Sequence, residues 1–330
     1  MAQLDFPDRY KARDGEVEEA LLLKVTNLVK DFNGRKSVDG VSFSVAAGEV
    51  FGLLGPNGAG KSTTIAMICG LLSPDQGEIS FAGQEAGSGA NAVRQSIGLV
   101  PQDIALYPTL SARENLNFWG RMYGLGGKVL RERVNGALEI ADLADRANER
   151  IETYSGGMKR RINIAASLLH RPKLLIMDEP TVGIDPQSRN HILETVRLLN
   201  NQGMAVIYTS HYMEEVESVC SRVAIMDQGK VLAQGSLKEL AQIAGGLDVV
   251  TVEAPSIGQD VQDCITAIPG VSGVTASSGQ VQFLSTRGSE ALPEVMACFA
   301  RLGLKVGGVK VKEPNLETVF LQLTGRTLRD

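Results

Sequence analysis

The segment that most restricts the fold of this chain is a glycine-rich stretch between an apolar run and a helix-forming run. Gly55, Gly60, Lys61 and Ser62 match the pattern G-x-x-x-x-G-K-[ST]. The run at 50–54 before it predicts a strand, and the run after it predicts a helix. A strand, loop and helix of this kind surround a phosphate with backbone N–H donors. The segment therefore predicts an α/β domain that holds a polyphosphate.

The side chains of this loop have separate predicted roles. Its glycines let the backbone approach phosphate oxygens without a clash at Cβ. Lys61 is predicted to reach the β and γ phosphates, and the Ser62 hydroxyl to ligate Mg²⁺. The predicted nucleotide-binding residues of the loop are Gly55, Pro56, Asn57, Gly58, Ala59, Gly60, Lys61, Ser62 and Thr63.

Two adjacent carboxylates follow a second apolar run, LLIM, which predicts a buried strand. Asp178 at its end is suited to hold Mg²⁺ through water, and Glu179 to act as general base toward the γ phosphate. His211 ends the next apolar run, and Gln102 follows the strand-like SIGLV. A single histidine or glutamine at a strand end is more often an ordinary surface residue, so each is a weak signal alone.

Composition narrows the class of protein further. Unalternated runs of Val, Ile, Leu and Met suit a parallel sheet that is buried on both faces. Lys plus Arg number 33 and Asp plus Glu 38, for a net charge of −5, which argues against binding to nucleic acid. No run approaches the ~18 apolar residues of a membrane-spanning helix, so direct membrane insertion is not expected.

The length of 330 residues favours about two domains. We predict a flexible tail without a secretory signal at 1–20 and a first domain at 21–246, which ends at the glycine pair Gly245-Gly246. The remainder, 247–330, has the order βαββαβ, which is ferredoxin-like, followed by a terminal helix.

The four cysteines are widely separated and contain no C-x-x-C pair. Their positions are Cys69, Cys220, Cys264 and Cys298. We expect neither a zinc site nor disulfides, and we interpret all four as small buried apolar residues in a reducing compartment.

The segment YSGGMKR at 154–160 resembles the LSGGQ signature of the ATP-binding cassette (ABC) ATPases, which power membrane transporters. Together with the loop at 55–63 and the Asp178-Glu179 pair, it identifies 21–246 as similar to an ABC cassette. The resemblance implies an α/β P-loop NTPase fold with a mostly parallel core sheet, an antiparallel β subdomain and a helical subdomain that carries the signature.

The resemblance also implies that two cassettes dimerise head to tail, so that the signature of one chain closes over ATP held by the other. It assigns Phe32 to stacking on adenine, Gln102 to metal sensing, Asp185 to the dimer interface and His211 to the catalytic switch. The implied catalytic residues are Glu179, His211 and Gln102, the metal ligands are Ser62, Gln102 and Asp178, and the signature residues acting on the partner are Ser155, Gly156, Gly157 and Met158.

Three positions depart from the family pattern. Tyr154 stands in place of Leu, Met158 in place of Gln, and Phe32 in place of the commoner Tyr. None of the three removes a catalytic group, and Phe32 keeps its stacking face. We therefore predict an active ATPase.

The implied partners are a second cassette and a separate integral-membrane permease, with the chain cytoplasmic and peripheral on the inner face of the membrane. The segment EPNLETVF at 313–320 resembles the C-terminal pattern of drug- and antibiotic-export ATPases that pair with type-2 exporter permeases, which favours export. Two alternatives remain open. One is an importer ATPase whose C-terminal domain senses a small molecule, and the other is a soluble ABC ATPase without a membrane partner.

Overall fold

The computed structural model describes residues 21–85, 90–243, 247–255, 257–277, 279–285, 288–312 and 316–324. The tail predicted at 1–20 and the glycine pair at 245–246 lie outside the described residues. Two compact units divide between Gln234 and Gly235, which is before the boundary expected from the sequence. The division into a tail and two domains stays a prediction.

The first unit contains ten strands and seven α-helices within its described residues. The strands are β1 (Leu21–Phe32), β2 (Arg35–Ala46), β3 (Val50–Leu54), β4 (Gln76–Phe81), β5 (Gln84–Glu85), β6 (Ile97–Val100), β7 (Leu174–Met177), β8 (Ala205–Ser210), β9 (Arg222–Asp227) and β10 (Lys230–Ser236). The helices are α1 (Lys61–Ile68), α2 (Ala90–Gln95), α3 (Ala112–Met122), α4 (Gly127–Ile140), α5 (Gly156–Leu168), α6 (Pro186–Asn201) and α7 (Met213–Val219).

A six-stranded sheet, in the order β10-β9-β3-β8-β7-β6, forms the centre of this unit. Its inner strands pair in parallel, and every residue of β3, β7 and β8 is buried, as their continuous apolar sequences predict. Parallel strands end at a common edge. The loops that follow β3, β7 and β8 therefore meet there, and they carry the phosphate loop, the two carboxylates and His211.

The first unit contains two further parts, a smaller sheet and a group of helices. A four-stranded sheet has the order β2-β1-β4-β5, with antiparallel pairing throughout. Helices α3, α4 and α5 pack together around a separate apolar cluster. The spacing of Ser111 and Glu114, three positions apart, predicts a capping box at the start of α3. The box is present, because the Ser111 side chain accepts from the Glu114 backbone and the Glu114 side chain accepts from the Ser111 backbone. The three parts of the predicted cassette fold are confirmed.

The second unit contains α8 (Leu237–Ile243), β11 (Asp248–Glu253), α9 (Gln259–Thr266), β12 (Val271–Ser277), β13 (Gln280–Ser285), α10 (Gly288–Arg301), β14 (Gly308–Lys312) and α11 (Leu316–Thr324). Its sheet is antiparallel, in the order β12-β13-β11-β14. The predicted order of elements is present, and the ferredoxin-like assignment stays a prediction. Residues 313–315 of the export-type pattern lie outside the described residues, whereas Leu316, Val319 and Phe320 of α11 are buried and α11 packs on α8.

The expectation for the cysteines is wrong for two of the four. Cys264 on α9 and Cys298 on α10 form a disulfide, although 34 positions separate them in the sequence. The fold brings the two helices side by side, which spacing along the chain does not reveal. Cys69 and Cys220 are free and buried, as predicted, and burial raises the pKa of the Cys69 thiol to about 12.

Among the described helices, none is both long enough and apolar enough to cross a bilayer.

Candidate nucleotide site

The loop between β3 and α1 leads into a helix that has no side-chain cap. Gly60 precedes α1 and no side chain caps the helix, so the first N–H groups of α1 have no side-chain partner there. Such a helix start attracts anions through its N–H donors and its dipole. The Ser62 side chain is exposed at this point, and the Thr63 hydroxyl lies 3.0 Å from that of Ser37.

Two glycines of the loop are required by their surroundings. A Cβ at Gly55 would lie 2.3 Å from the Met226 carbonyl oxygen, and one at Gly60 would lie 2.4 Å from that of Ser37. Gly60 also has φ +101°, in the left-handed region. The loop is thus held between neighbouring strands, which explains why its glycines stand where the pattern places them.

Lys61 points back into the loop and is 5% exposed. Its Nζ donates to the carbonyl oxygens of Gly55 at 2.7 Å and Pro56 at 3.2 Å, and forms an ion pair with Glu179 Oε1 at 3.1 Å. Phosphate oxygens could take the place of these carbonyl oxygens as acceptors for the ammonium group. The positive charge of Lys61 is balanced by the Glu179 carboxylate.

Asp178 and Glu179 follow β7 and are both buried. Thr209 of β8 connects them, since its hydroxyl donates to Asp178 Oδ1 at 2.8 Å and accepts from the Glu179 N–H at 2.9 Å. Glu179 has φ +47°, an unusual conformation for a residue with a side chain. Thr209 thus holds Asp178 through its side chain and Glu179 through its backbone, and nothing in the sequence pattern marks this threonine.

His211 lies next to the same glutamate. Its Nδ1 is 3.4 Å from Glu179 Oε2, and the side chain is 24% exposed. The structure thus brings Lys61, Glu179 and His211, which are far apart in the sequence, into one cluster with Glu179 at its centre. A base, a cation and an imidazole in this arrangement suit attack of water on a phosphate.

The signature segment starts α5 in the helical part of the unit. The Ser155 hydroxyl caps the helix by accepting from the Met158 N–H at 3.2 Å. Two of the three departures from the family pattern share one partner. Arg146 Nη1 donates to Met158 Sδ at 3.3 Å, and the Tyr154 hydroxyl donates to the Arg146 carbonyl at 2.7 Å. Tyr154 and Met158 thus fit together locally.

Gly156 and Gly157 form the first turn of α5. A Cβ at Gly157 would lie 1.9 Å from the Ser188 Oγ, so glycine is needed for the close approach to the start of α6. Among the described residues, no hydrogen bond or ion pair connects the signature residues with Lys61 or Glu179.

The contacts of three further predicted residues are with residues outside the Glu179 cluster. Gln102 is exposed after β6, and its carbonyl accepts from Arg160 Nη2 at 2.5 Å. Phe32 is 48% exposed at the end of β1, with Lys30 Nζ 5.8 Å from its ring centre. Asp185 caps α6 by accepting from the Ser188 N–H at 2.9 Å, and this hydrogen bond lowers the pKa of the Asp185 carboxyl.

Arg160 is a residue whose position the sequence pattern did not explain. It is 4% exposed on α5, and its guanidinium donates to the carbonyls of both Pro101 and Gln102. The helix that begins at the signature is therefore bonded directly to the loop that carries Gln102. The only sequence signal is the basic pair after the glycines, which by itself predicts a solvated charge.

Comparison with known proteins places this geometry in context. The family profile described as ABC transporter matches residues 38–182. The linearmycin resistance ATP-binding protein LnrL of Bacillus subtilis (strain 168) is 49% identical over 94% of this chain and 100% of its own length. The daunorubicin resistance ATP-binding protein DrrA3 of Streptomyces coeruleorubidus is 39% identical over 92% of this chain and 96% of its own.

Solved structures agree with these matches. An ATP-binding subunit of an ABC transporter superposes with a TM-score of 0.62 and 32% identity, over 68% of this chain and 93% of that one. A dimeric ATP-binding cassette in a post-hydrolysis state, bound to ADP and Pi, superposes with a TM-score of 0.60 and 25% identity, over 65% of this chain and 98% of that one.

Proposed function

Because the chain belongs to the ABC transporter family and is an ATP-binding, ATP-hydrolysing subunit of such a transporter, we propose that it drives export through a separate permease. The observation that carries this proposal is similarity along both units to the linearmycin resistance protein, at 49% identity over its whole length. The Nod factor export ATP-binding protein I of Ralstonia nicotianae, 39% identical over 94% of this chain, supports the same direction.

In the proposed reaction, Lys61 exchanges its carbonyl partners and Glu179 for the β and γ phosphates of ATP. The released carboxylate of Glu179 then accepts a proton from the attacking water. His211, which is adjacent to Glu179, is placed to donate a hydrogen bond to the γ phosphate. Phe32, on its exposed strand end, offers a ring face to adenine.

We propose that Mg²⁺ is held by Ser62, Asp178 and Gln102. The donors fit this ion, because they are hydroxyl, carboxylate and amide oxygens. Among the described residues, no group of three or more His, Cys, Asp or Glu is arranged to hold a metal. When bound, Mg²⁺ would neutralise charge on the phosphates, while Thr209 keeps Asp178 in place.

The proposed permease surface lies on the helical part of the first unit. Tyr107, Met122 and Tyr123 are large side chains that remain 46%, 67% and 38% exposed. By contrast, Phe118 and Trp119 are partly buried and pack edge to face. Exposed aromatic and methionine side chains suit contact with a protein partner. We propose that a permease helix docks here and holds the chain at the cytoplasmic face of the membrane.

The direction of transport is testable in membrane vesicles. The chain and the permease that co-purifies with it are expected to drive ATP-dependent uptake of linearmycin, the compound named in the 49% identical relative, into inverted vesicles. Glu179→Gln should abolish this uptake at equal protein levels. ATP-dependent uptake into right-side-out vesicles instead would show an importer, and full ATP turnover without any co-purifying membrane protein would favour the soluble alternative.

The dimeric arrangement predicts that Ser155→Arg blocks hydrolysis without weakening ATP binding to the monomer. The arginine would fill the space that the partner's nucleotide needs. A fluorescent ATP analogue measures binding and phosphate release measures turnover. Ser272→Arg, on an exposed strand position of the second unit, is the control and should behave as the unmodified protein.

A mixture of two inactive variants tests whether the signature of one chain acts on ATP held by the other chain or on ATP held by its own chain. A 1:1 mixture of Ser155→Arg and Lys61→Ala chains places an intact loop opposite an intact signature in half of the dimers. If each intact site works alone, roughly a quarter of the normal activity returns, because a two-fold dimer has two composite sites. A mixture that stays inactive would contradict the composite site.

A further inference from the structure

A buried glutamate outside the residues assigned above connects three parts of the site. Glu215 on α7 is 3% exposed. Its Oε2 accepts from the hydroxyls of Thr181 at 2.6 Å, Tyr208 at 2.9 Å and Ser210 at 3.1 Å. A buried carboxylate is stable only when donors or cations surround it, and here three hydroxyl groups converge on one oxygen.

The other oxygen of Glu215 faces a cation. Oε1 lies 3.2 Å from the Nε of Arg189 on α6. The Arg189 guanidinium also lies over the ring of Tyr212, 5.0 Å from its centre. The Tyr212 ring is in turn 4.2 Å from the ring of His211. A continuous series of contacts thus runs from Glu215 through Arg189 and Tyr212 to His211.

Three of the four partners of Glu215 lie next to different residues of the proposed site. Thr181 comes two residues after Glu179, and Ser210 comes directly before His211. The Ser210 hydroxyl also accepts from the Tyr212 N–H at 2.9 Å, which fixes the backbone on the far side of His211. Arg189 lies in the first turn of α6, whose N-cap is Asp185. One side chain therefore bonds the loops of Glu179, His211 and Asp185.

The donors are suited to this task. Burial and the adjacent Glu215 carboxylate raise the pKa of Tyr208 well above its usual value, so its hydroxyl keeps the proton that it donates. Tyr208 itself is fully buried in β8. The hydrogen bond from the Tyr208 hydroxyl to the Glu215 carboxylate therefore fixes the position of α7 relative to the end of β8.

We propose that Glu215 is a positioning residue for hydrolysis, which sets His211 and the Glu179 loop in their reactive arrangement without contacting the nucleotide. The proposal depends on the roles given to Glu179 and His211 above. It predicts that loss of the Glu215 charge affects the chemical step more than ATP binding. The side chain acts through its hydrogen bonds and its ion pair with Arg189.

The first test is Glu215→Gln in the full chain. Glutamine keeps the size and one acceptor oxygen, but its NH₂ group would face Arg189 as a second donor. We expect kcat to fall by about tenfold or more, as for other groups that orient a reacting side chain. The dissociation constant of a fluorescent ATP analogue should change less than about twofold, as should KM. Glu214→Gln, which removes the same charge at the neighbouring exposed position, is the matched control.

A double-mutant cycle with His211→Ala distinguishes positioning from general weakening. Because Glu215 acts in part through His211, Glu215→Gln should lower kcat by a smaller factor in His211→Ala than in the unmodified chain. If the glutamate merely stabilises the fold, the two reductions multiply. Multiplying reductions, or a kcat for Glu215→Gln within about twofold of normal, would overturn the proposal.

Arg189→Met keeps the test usable if Glu215→Gln does not fold. The Arg189 side chain is 34% exposed, and its replacement leaves the three hydroxyl bonds of Glu215 in place. We expect a smaller loss of kcat that is again non-additive with His211→Ala, and an additive loss would count against the proposal. A failure of the proposed function is distinguishable, because it would appear as full turnover by His211→Ala or Glu179→Gln alone.

Discussion

Glu179→Gln is expected to lower ATP turnover by a factor of about 10²–10⁴ while ATP still binds. The glutamate is the carboxylate common to the Lys61 and His211 contacts, at 3.1 and 3.4 Å. Glutamine has nearly the same shape but cannot accept the proton of the attacking water. The Glu179 N–H bond to Thr209 is a backbone contact, so the substitution does not disturb it.

Because binding persists while hydrolysis stops, ATP should hold two chains together. Size-exclusion chromatography of Glu179→Gln with ATP is expected to show a dimer, and without ATP a monomer. Glu78→Gln, at an exposed position of β4, is the control and should hydrolyse ATP normally. Only monomer in the presence of saturating ATP would contradict the proposed closure of two cassettes over the nucleotide.

Lys61→Ala is expected to lower ATP affinity by more than about tenfold and ATP turnover by about 10²–10³. The ammonium group is the cation nearest to Glu179 and the one predicted to reach the phosphates. Its removal takes away a charge-assisted contact in a buried site, where such contacts are strong. Lys128→Ala, an exposed lysine of α4, is the control.

The same substitution has a second expected effect, on stability without nucleotide. Lys61→Ala leaves the Glu179 carboxylate, 5% exposed, without its lysine partner, and breaking a buried ion pair typically costs about 3–5 kcal/mol. The melting temperature should therefore fall. Combining Lys61→Ala with Glu179→Gln should recover part of the lost stability, because the unpaired charge is gone.

For the turnover prediction, a loss of less than tenfold would contradict the role assigned to Lys61.

Much of the first unit was predictable because its signals are local. The glycine pattern at 55–63 lies between a strand and a helix, and the structure has β3 and α1 on either side. The apolar runs before Asp178 and His211 are the buried strands β7 and β8. The capping box at Ser111 depends on residues three positions apart and is present as predicted.

Other features depend on contacts between distant residues and were missed or wrongly expected. Cys264 and Cys298 form a disulfide because two helices lie side by side. Thr209 and Arg160 carry no signal in the sequence. In the structure, Thr209 bonds the Asp178 carboxylate and the Glu179 backbone N–H, and Arg160 bonds the loop of Gln102. Glu215 resembles any acidic residue of a surface helix until the fold buries it.

The sequence by itself determined the type of chemistry, because a phosphate loop, a carboxylate pair and a signature segment each need particular residues at fixed short spacings. Only the tertiary structure decided how these pieces act together. The parallel sheet brings Lys61, Glu179 and His211 to one edge, while the signature residues bond within their own helical region. Distances across a sheet are set by strand order and register, and these follow from packing of the whole unit and not from spacing along the chain.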